Sequence, residues 1–113
     1  MPEPFGLDTA VIERIRNVLR RYPQVEAAIL YGSRAKGQYR EGSDIDLSLR
    51  GNISFKVLQD IFDDLDELLL PWTIDLSIYD ELSNESLKEH IRRVGQRLYS
   101  REDPAGERFK PSA

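Results

Sequence analysis

Apolar residues recur at helical spacing in three stretches of the chain and at alternate positions in two more, and this pattern predicts the order of the elements. From Asp8 to Arg21 the residues Ile12, Ile15, Val18 and Leu19 fall on one helical face, Asp8 can cap the start, and Tyr22-Pro23 ends the segment. Val25 to Tyr31 is short, mostly apolar and closed by Gly32, as a buried strand would be. After a polar loop with Gly37 and Gly42, the stretch Asp44 to Leu49 alternates Asp44, Asp46 and Ser48 with Ile45, Leu47 and Leu49. A strand with one wet face is the expectation. Phe55, Leu58, Ile61, Phe62, Leu65 and Leu69 then form a helical stripe that begins at Ser54 and is closed by Pro71. Alternation returns from Thr73 to Tyr79, where Asp75 and Ser77 interleave Ile74, Leu76 and Ile78. A last helix is expected from Asn84 to Ser100, with Leu87, Ile91, Val94 and Leu98 on one side and Gly95 tolerated inside it.

The order helix, strand, strand, helix, strand, helix predicts an α/β (α+β) two-layer sandwich, with helices covering the sheet from one side and the polar sheet face open. Residues 1–100 would form one domain, and 101–113, rich in charge with Pro and Gly and without a period, a C-terminal tail.

Composition narrows the function classes. With 40% hydrophobic and 32% charged residues the chain reads as a soluble globular domain, and no apolar run approaches the ~20 residues of a membrane span. Residues 1–10 lack the basic start and apolar core of a signal peptide, and the absence of cysteine fits a cytoplasmic setting. A net charge of -4 argues against a generally basic DNA-binding surface, so a phosphate-bearing ligand must be met by local groups.

Such groups are concentrated in LYGSRAKGQYREGSDIDL, residues 30–47. Residues two apart on a strand point to one side, so Asp44 and Asp46 project together, and Asp75 lies on the polar face of the other alternating strand. If the two strands are neighbours, three carboxylates converge. Like charges that close repel by about 4 kcal/mol at an effective dielectric of about 20, which points to a cation between them. Magnesium suits carboxylate oxygens and is commonly shared with substrate phosphates, and two such ions could serve an in-line phosphoryl displacement. Upstream, Gly32 permits a sharp turn and close backbone approach, Ser33 adds a hydroxyl, and Arg34 and Lys36 add positive charge.

Taken together, Gly32-Ser33, a gap of ten residues, Asp44-x-Asp46 and Asp75 resemble the active-site signature of the nucleotidyltransferase superfamily that includes DNA polymerase beta. The short length and the strings GSRAKG and SDIDL are most similar to the minimal nucleotidyltransferases, antitoxin-type partners of HEPN-domain toxins. The resemblance runs from about Ala10 to Tyr99. It implies a mixed sheet with helices on one face, and Mg2+-dependent transfer of a nucleoside monophosphate, AMP from ATP, to a hydroxyl of a partner protein. By the same carry-over Gly32 and Ser33, with Arg34 beside them, would hold the triphosphate. Asp44 and Asp46 would bind metal, and Asp75 would complete the metal site and help activate the acceptor. A chain this short would leave the site open, so a homo- or hetero-oligomer with a HEPN-type partner is expected. Two other readings stand beside it: a non-catalytic antitoxin that acts by binding, and a transferase acting on a small hydroxylated molecule.

The remaining chemistry-bearing residues have simpler explanations. His90 fits a helix side, Trp72 a packing or edge position, and Tyr31 and Tyr39 flank the turn where a base could stack. Lys88, Arg92, Arg93 and Arg97 suit a solvated helix face or an acidic partner.

Overall fold

The computed structural model describes residues 4–40 and 42–101, so the expected tail of 101–113 lies, from 102 onward, outside the described residues. A 3-10 turn at Pro4–Gly6 leads into helix α1 (Thr9–Arg20), strand β1 (Val25–Tyr31), a four-residue helix α2 (Ser33–Lys36) and strand β2 (Ile45–Gly51). Helix α3 (Phe55–Asp66), strand β3 (Ile74–Ile78), a 3-10 turn at Tyr79–Glu81, helix α4 (Glu85–Val94) and strand β4 (Gln96–Ser100) follow.

The helices start where side chains can satisfy backbone N–H groups that lack a partner in the first turn. The Ala10 amide donates to Asp8 Oδ1 at 2.8 Å, Val57 to Ser54 Oγ at 3.2 Å, and Leu87 to Asn84 Oδ1 at 3.0 Å. The strands form one mixed sheet in the order β3-β2-β1-β4, with β1 antiparallel to both β2 and β4 and β2 parallel to β3.

One sheet face, carrying Ala28, Leu30, Ile45, Leu47, Leu49 and Leu98, packs beneath α1 and α3 through Ile12, Ile15, Leu19, Ile61 and Leu65. This apolar layer is the main core, with α1 and α3 covering one face of the sheet as the alternation predicts.

The end of the chain differs from the sequence reading. Helix α4 stops at Val94, Gly95 takes extended dihedrals (φ -63°, ψ 144°), and residues 96–100 pair with β1 rather than prolonging the helix. Placing Leu98 in the core as a strand residue outweighs its helical spacing from Ile91 and Val94, a case of long-range pairing overriding local periodicity. A second difference follows. Helix α4 lies against the other sheet face, where Ile91 packs with Ile29, Tyr31 and Tyr79, so that face is covered in part rather than wholly open. Among the described residues no helix is long and apolar enough to cross a membrane.

Candidate active site

The partly covered face carries the carboxylates at one end. In the parallel β2/β3 pair Asp46 stands directly opposite Asp75, and in the antiparallel β1/β2 pair it stands opposite Tyr31. Neighbouring strands lie about 4.8 Å apart, so the two aspartates face the same side as adjacent groups. Ser48 and Ser77 form the next row on this face, and the Ser77 hydroxyl donates to Ser48 Oγ at 3.1 Å. The Ile45 amide donates to the Thr73 carbonyl at 2.9 Å, which fixes the register at the end that matters.

Immediately after β1 the chain turns at Gly32 with φ 78°, a left-handed conformation that favours glycine. A Cβ at Gly32 would run into Asp46 Oδ2, so the turn and the carboxylate occupy one space that only glycine leaves free. Helix α2 starts at Ser33 directly beyond this turn. Asp44 precedes β2 at an exposed position, Asp75 is exposed, and Asp46 is half-buried.

These surroundings tell on Asp46. Burial, then the charges of Asp75 and Asp44, push its carboxyl up from 3.8 to about 6. Tyr31 forms the floor beside it. The residue is buried, and burial, with the charges of Asp75 and Asp46 adding to it and the polar Ser77 side chain acting against it, raises its pKa. His90 of α4 meets the Tyr31 ring edge-on at 6.3 Å between centroids.

The donors here fit a hard divalent cation: they are carboxylate oxygens, and among the described residues no positive side chain offsets the charge of Asp46. Among the described residues no three His, Cys, Asp or Glu side chains gather closely enough to enclose a metal ion by themselves. A cation at Asp46 therefore needs further oxygens, as magnesium shared with a phosphate would have.

Arg34 departs from its expected place as a phosphate-binding side chain. Its guanidinium is buried, donating through Nε at 3.1 Å and Nη2 at 2.8 Å to the Ser43 carbonyl and through Nη1 at 2.7 Å to the Phe5 carbonyl. It also lies 5.4 Å from the ring centres of both Tyr39 and Trp72. Removal from water lowers its pKa, and the nearby Tyr39 and Asp44 act in the opposite direction. Trp72 is accordingly a packing residue, and Tyr39 serves the arginine. Arg34 ties the loop before Asp44 to the start of the chain, a role with no signal in the local sequence.

The other end of the same face is basic. Arg50 lies 4.6 Å from the Tyr79 ring centre, Lys88 Nζ lies 5.2 Å from it, and Arg92 Nη1 donates to the Tyr79 hydroxyl at 3.1 Å. A groove of about 560 Å³ opens beside Arg50, Asp80 and Arg97, away from the carboxylates.

The family profile described as Polymerase beta, Nucleotidyltransferase matches residues 13–104, more than half of the chain. The chain belongs to this nucleotidyltransferase family. No curated protein matches it in sequence. Among solved structures, a crystal structure of a toxin-antitoxin with AMP-PNP is similar with a TM-score of 0.65 and 20% identity, covering 83% of this chain and 77% of that one. A tri-AMPylated Shewanella oneidensis HEPN toxin in complex with MNT antitoxin matches with a TM-score of 0.63 at 17% identity, over 86% of this chain and 76% of the other. A putative nucleotidyltransferase from Sulfolobus solfataricus matches with a TM-score of 0.55 at 20% identity, over 85% and 82%. At these identities the likeness establishes the fold, and it agrees with the nucleotidyltransferase domain that the family profile identifies.

Proposed function

We propose that this nucleotidyltransferase domain transfers AMP from ATP to a hydroxyl of a partner protein, acting as the antitoxin of a HEPN-type toxin. The observation that carries the reading is the fit of Gly32 beneath Asp46, with Asp75 alongside: a turn made close to a carboxylate pair has a use where a phosphate chain must lie against both. The toxin-antitoxin structures of the same fold, one with AMP-PNP and one with an AMPylated HEPN toxin, support the choice of nucleotide and partner.

In this reading the backbone at Gly32 and the Ser33 hydroxyl hold the triphosphate, while Asp44, Asp46 and Asp75 hold magnesium. Magnesium, where these carboxylates hold it, would supply the positive charge that offsets the phosphates. The acceptor oxygen forms a bond to the α-phosphorus as the bond to the bridging oxygen breaks, and pyrophosphate leaves. The acceptor proton passes to the Asp75 carboxylate, which is exposed on the edge strand beside Asp46. Positioning and electrostatics supply the rate, and no covalent enzyme intermediate is needed.

Transfer of label from α-phosphate-labelled ATP in lysate of the source cell, with wild type and Asp46→Asn compared, checks this directly. A second protein labelled only by the wild type is expected. Equal neutralisation of the partner by both variants, with no label moved, would instead identify an antitoxin that works by binding.

A further inference from the structure

Among the described residues strand β3 is an edge strand, bonded to β2 on one side only. Because the Thr73 carbonyl accepts from Ile45, the alternation of a parallel ladder aims the backbone groups of Asp75 and Ser77 at β2 and those of Ile74, Leu76 and Ile78 at the open edge. Natural edges are commonly blunted by lysine, proline or a bulge, and residues 74–78 have none of these. On the helix side of this edge, Phe55 and Phe62 lie seven residues apart on α3 and are 77% and 41% exposed. Two grooves flank them, an apolar one of about 490 Å³ between Phe55, Leu58, Ile78 and Leu82 and a mixed one of about 270 Å³ between Phe62, Asp66, Trp72 and Thr73. On the opposite side of the same edge stands Asp75.

We propose that an extended segment of the partner protein docks along β3 as a fifth strand and so presents the hydroxyl that receives the nucleotide. The inference rests on the transfer reading above and names how its acceptor is held. Alternate side chains of such a segment point to opposite faces: apolar ones cover Phe55 and Phe62, and those between them stand one strand spacing from Asp75. A tyrosine, serine or threonine on that second face is thereby placed beside the carboxylates. Its oxygen bonds to the α-phosphorus, pyrophosphate leaves, and its proton goes to Asp75. Each groove is lined by an acidic residue, Asp66 at one end and Glu81 at the other, so the segment carries basic residues at its ends. A second copy of this chain, paired through the same edge, would bring those acidic ends together and is disfavoured.

The experiment uses the full chain and a capped peptide, Arg-Val-Tyr-Val-Thr-Val-Arg, beside the same peptide N-methylated at every amide, so that it lacks ladder donors in either strand direction. NMR of the protein should give cross-strand contacts from the first peptide to Ile74, Leu76 and Ile78, and none from the methylated one, which lacks the ladder donors. Phe55→Asp and Phe62→Asp, both at exposed positions, should each weaken binding about tenfold. Contacts elsewhere, or equal binding of the methylated peptide, would overturn the docking mode, as would cross-strand contacts between two copies of the chain. Addition of labelled ATP and magnesium separates the two claims: pairing at β3 without label keeps the dock and removes the transfer reading, whereas label without pairing does the reverse.

Discussion

Gly32 and Asp46 fill one another's space: the turn after β1 carries no side chain, and the Asp46 carboxylate occupies the volume that a Cβ would take. The relationship joins a backbone requirement to a chemical one. Glycine meets the positive φ at low cost, and its missing Cβ lets the carboxylate lie against the turn.

Gly32→Ala should therefore damage both stability and transfer. The backbone at φ 78°, ψ -157° alone costs about 1–3 kcal/mol for alanine, because that region is essentially confined to glycine, and the collision with Asp46 adds to it. A carboxylate displaced by about 1 Å can cost on the order of 100-fold in rate. Chemical denaturation and labelled transfer measured on the same preparation separate the two effects; a variant that keeps full transfer would show that the close fit is only structural.

The Asp46 carboxyl makes a pH prediction whose sign is opposite to the usual one for aspartate. Its pKa is about 6 in the folded chain against an ordinary 3.8, so the folded state binds the proton more tightly than the unfolded state. Its stabilising contribution is complete below about pH 4 and is lost as pH rises through about 6. In chelator, Asp46→Asn should melt higher than wild type near pH 7, and the gap should close as pH falls through that window. Magnesium should raise the wild-type melting temperature and leave the variant nearly unmoved. A variant that melts lower than wild type at neutral pH in chelator would contradict this account.

Tyr31 allows a sharper distinction between support and chemistry. Tyr31→Phe keeps the ring that packs with Ile29, Tyr79 and Ile91 and removes only the hydroxyl, which lies near Ser77 and the carboxylates of Asp46 and Asp75. The expected change in urea unfolding is under about 1 kcal/mol, since the hydroxyl makes no hydrogen bond among the described residues, with transfer of label retained. Abolished transfer in a folded Tyr31→Phe protein would place the hydroxyl in the reaction, for instance as an acceptor of self-modification.

Much of this arrangement is legible in the sequence, because period-two alternation at Asp44–Leu49 and Thr73–Tyr79 survives into β2 and β3 and carries Asp46 and Asp75 to one face. What joins them is the parallel register, which no local pattern encodes. Leu98 shows the converse failure. It continues the helical spacing of Ile91 and Val94, yet it belongs to a strand, since only pairing with β1 decides between two readings of one short apolar repeat. Arg34 was opaque for a related reason. A basic residue next to a glycine turn looks like a ligand group, and nothing nearby in sequence reveals that the Phe5 and Ser43 carbonyls will enclose it.

That enclosure sets the last prediction. The guanidinium spans two carbonyls that lie 38 residues apart in the chain and rests between two rings, an arrangement that needs a planar fork and that an ammonium cannot reproduce. Arg34→Lys should destabilise the fold by about 2 kcal/mol, and Arg34→Ala by more, because buried carbonyls lose charged donors. If the side chain acts through the fold, the KM for ATP of the folded Arg34→Lys protein should stay within about threefold of wild type while its melting temperature falls. If it grips phosphate instead, KM should rise steeply with little change in melting. Held as it is, Arg34 steadies Ser43, the residue before Asp44, so the loss of stability should appear first as exchange of the amides in residues 42–45.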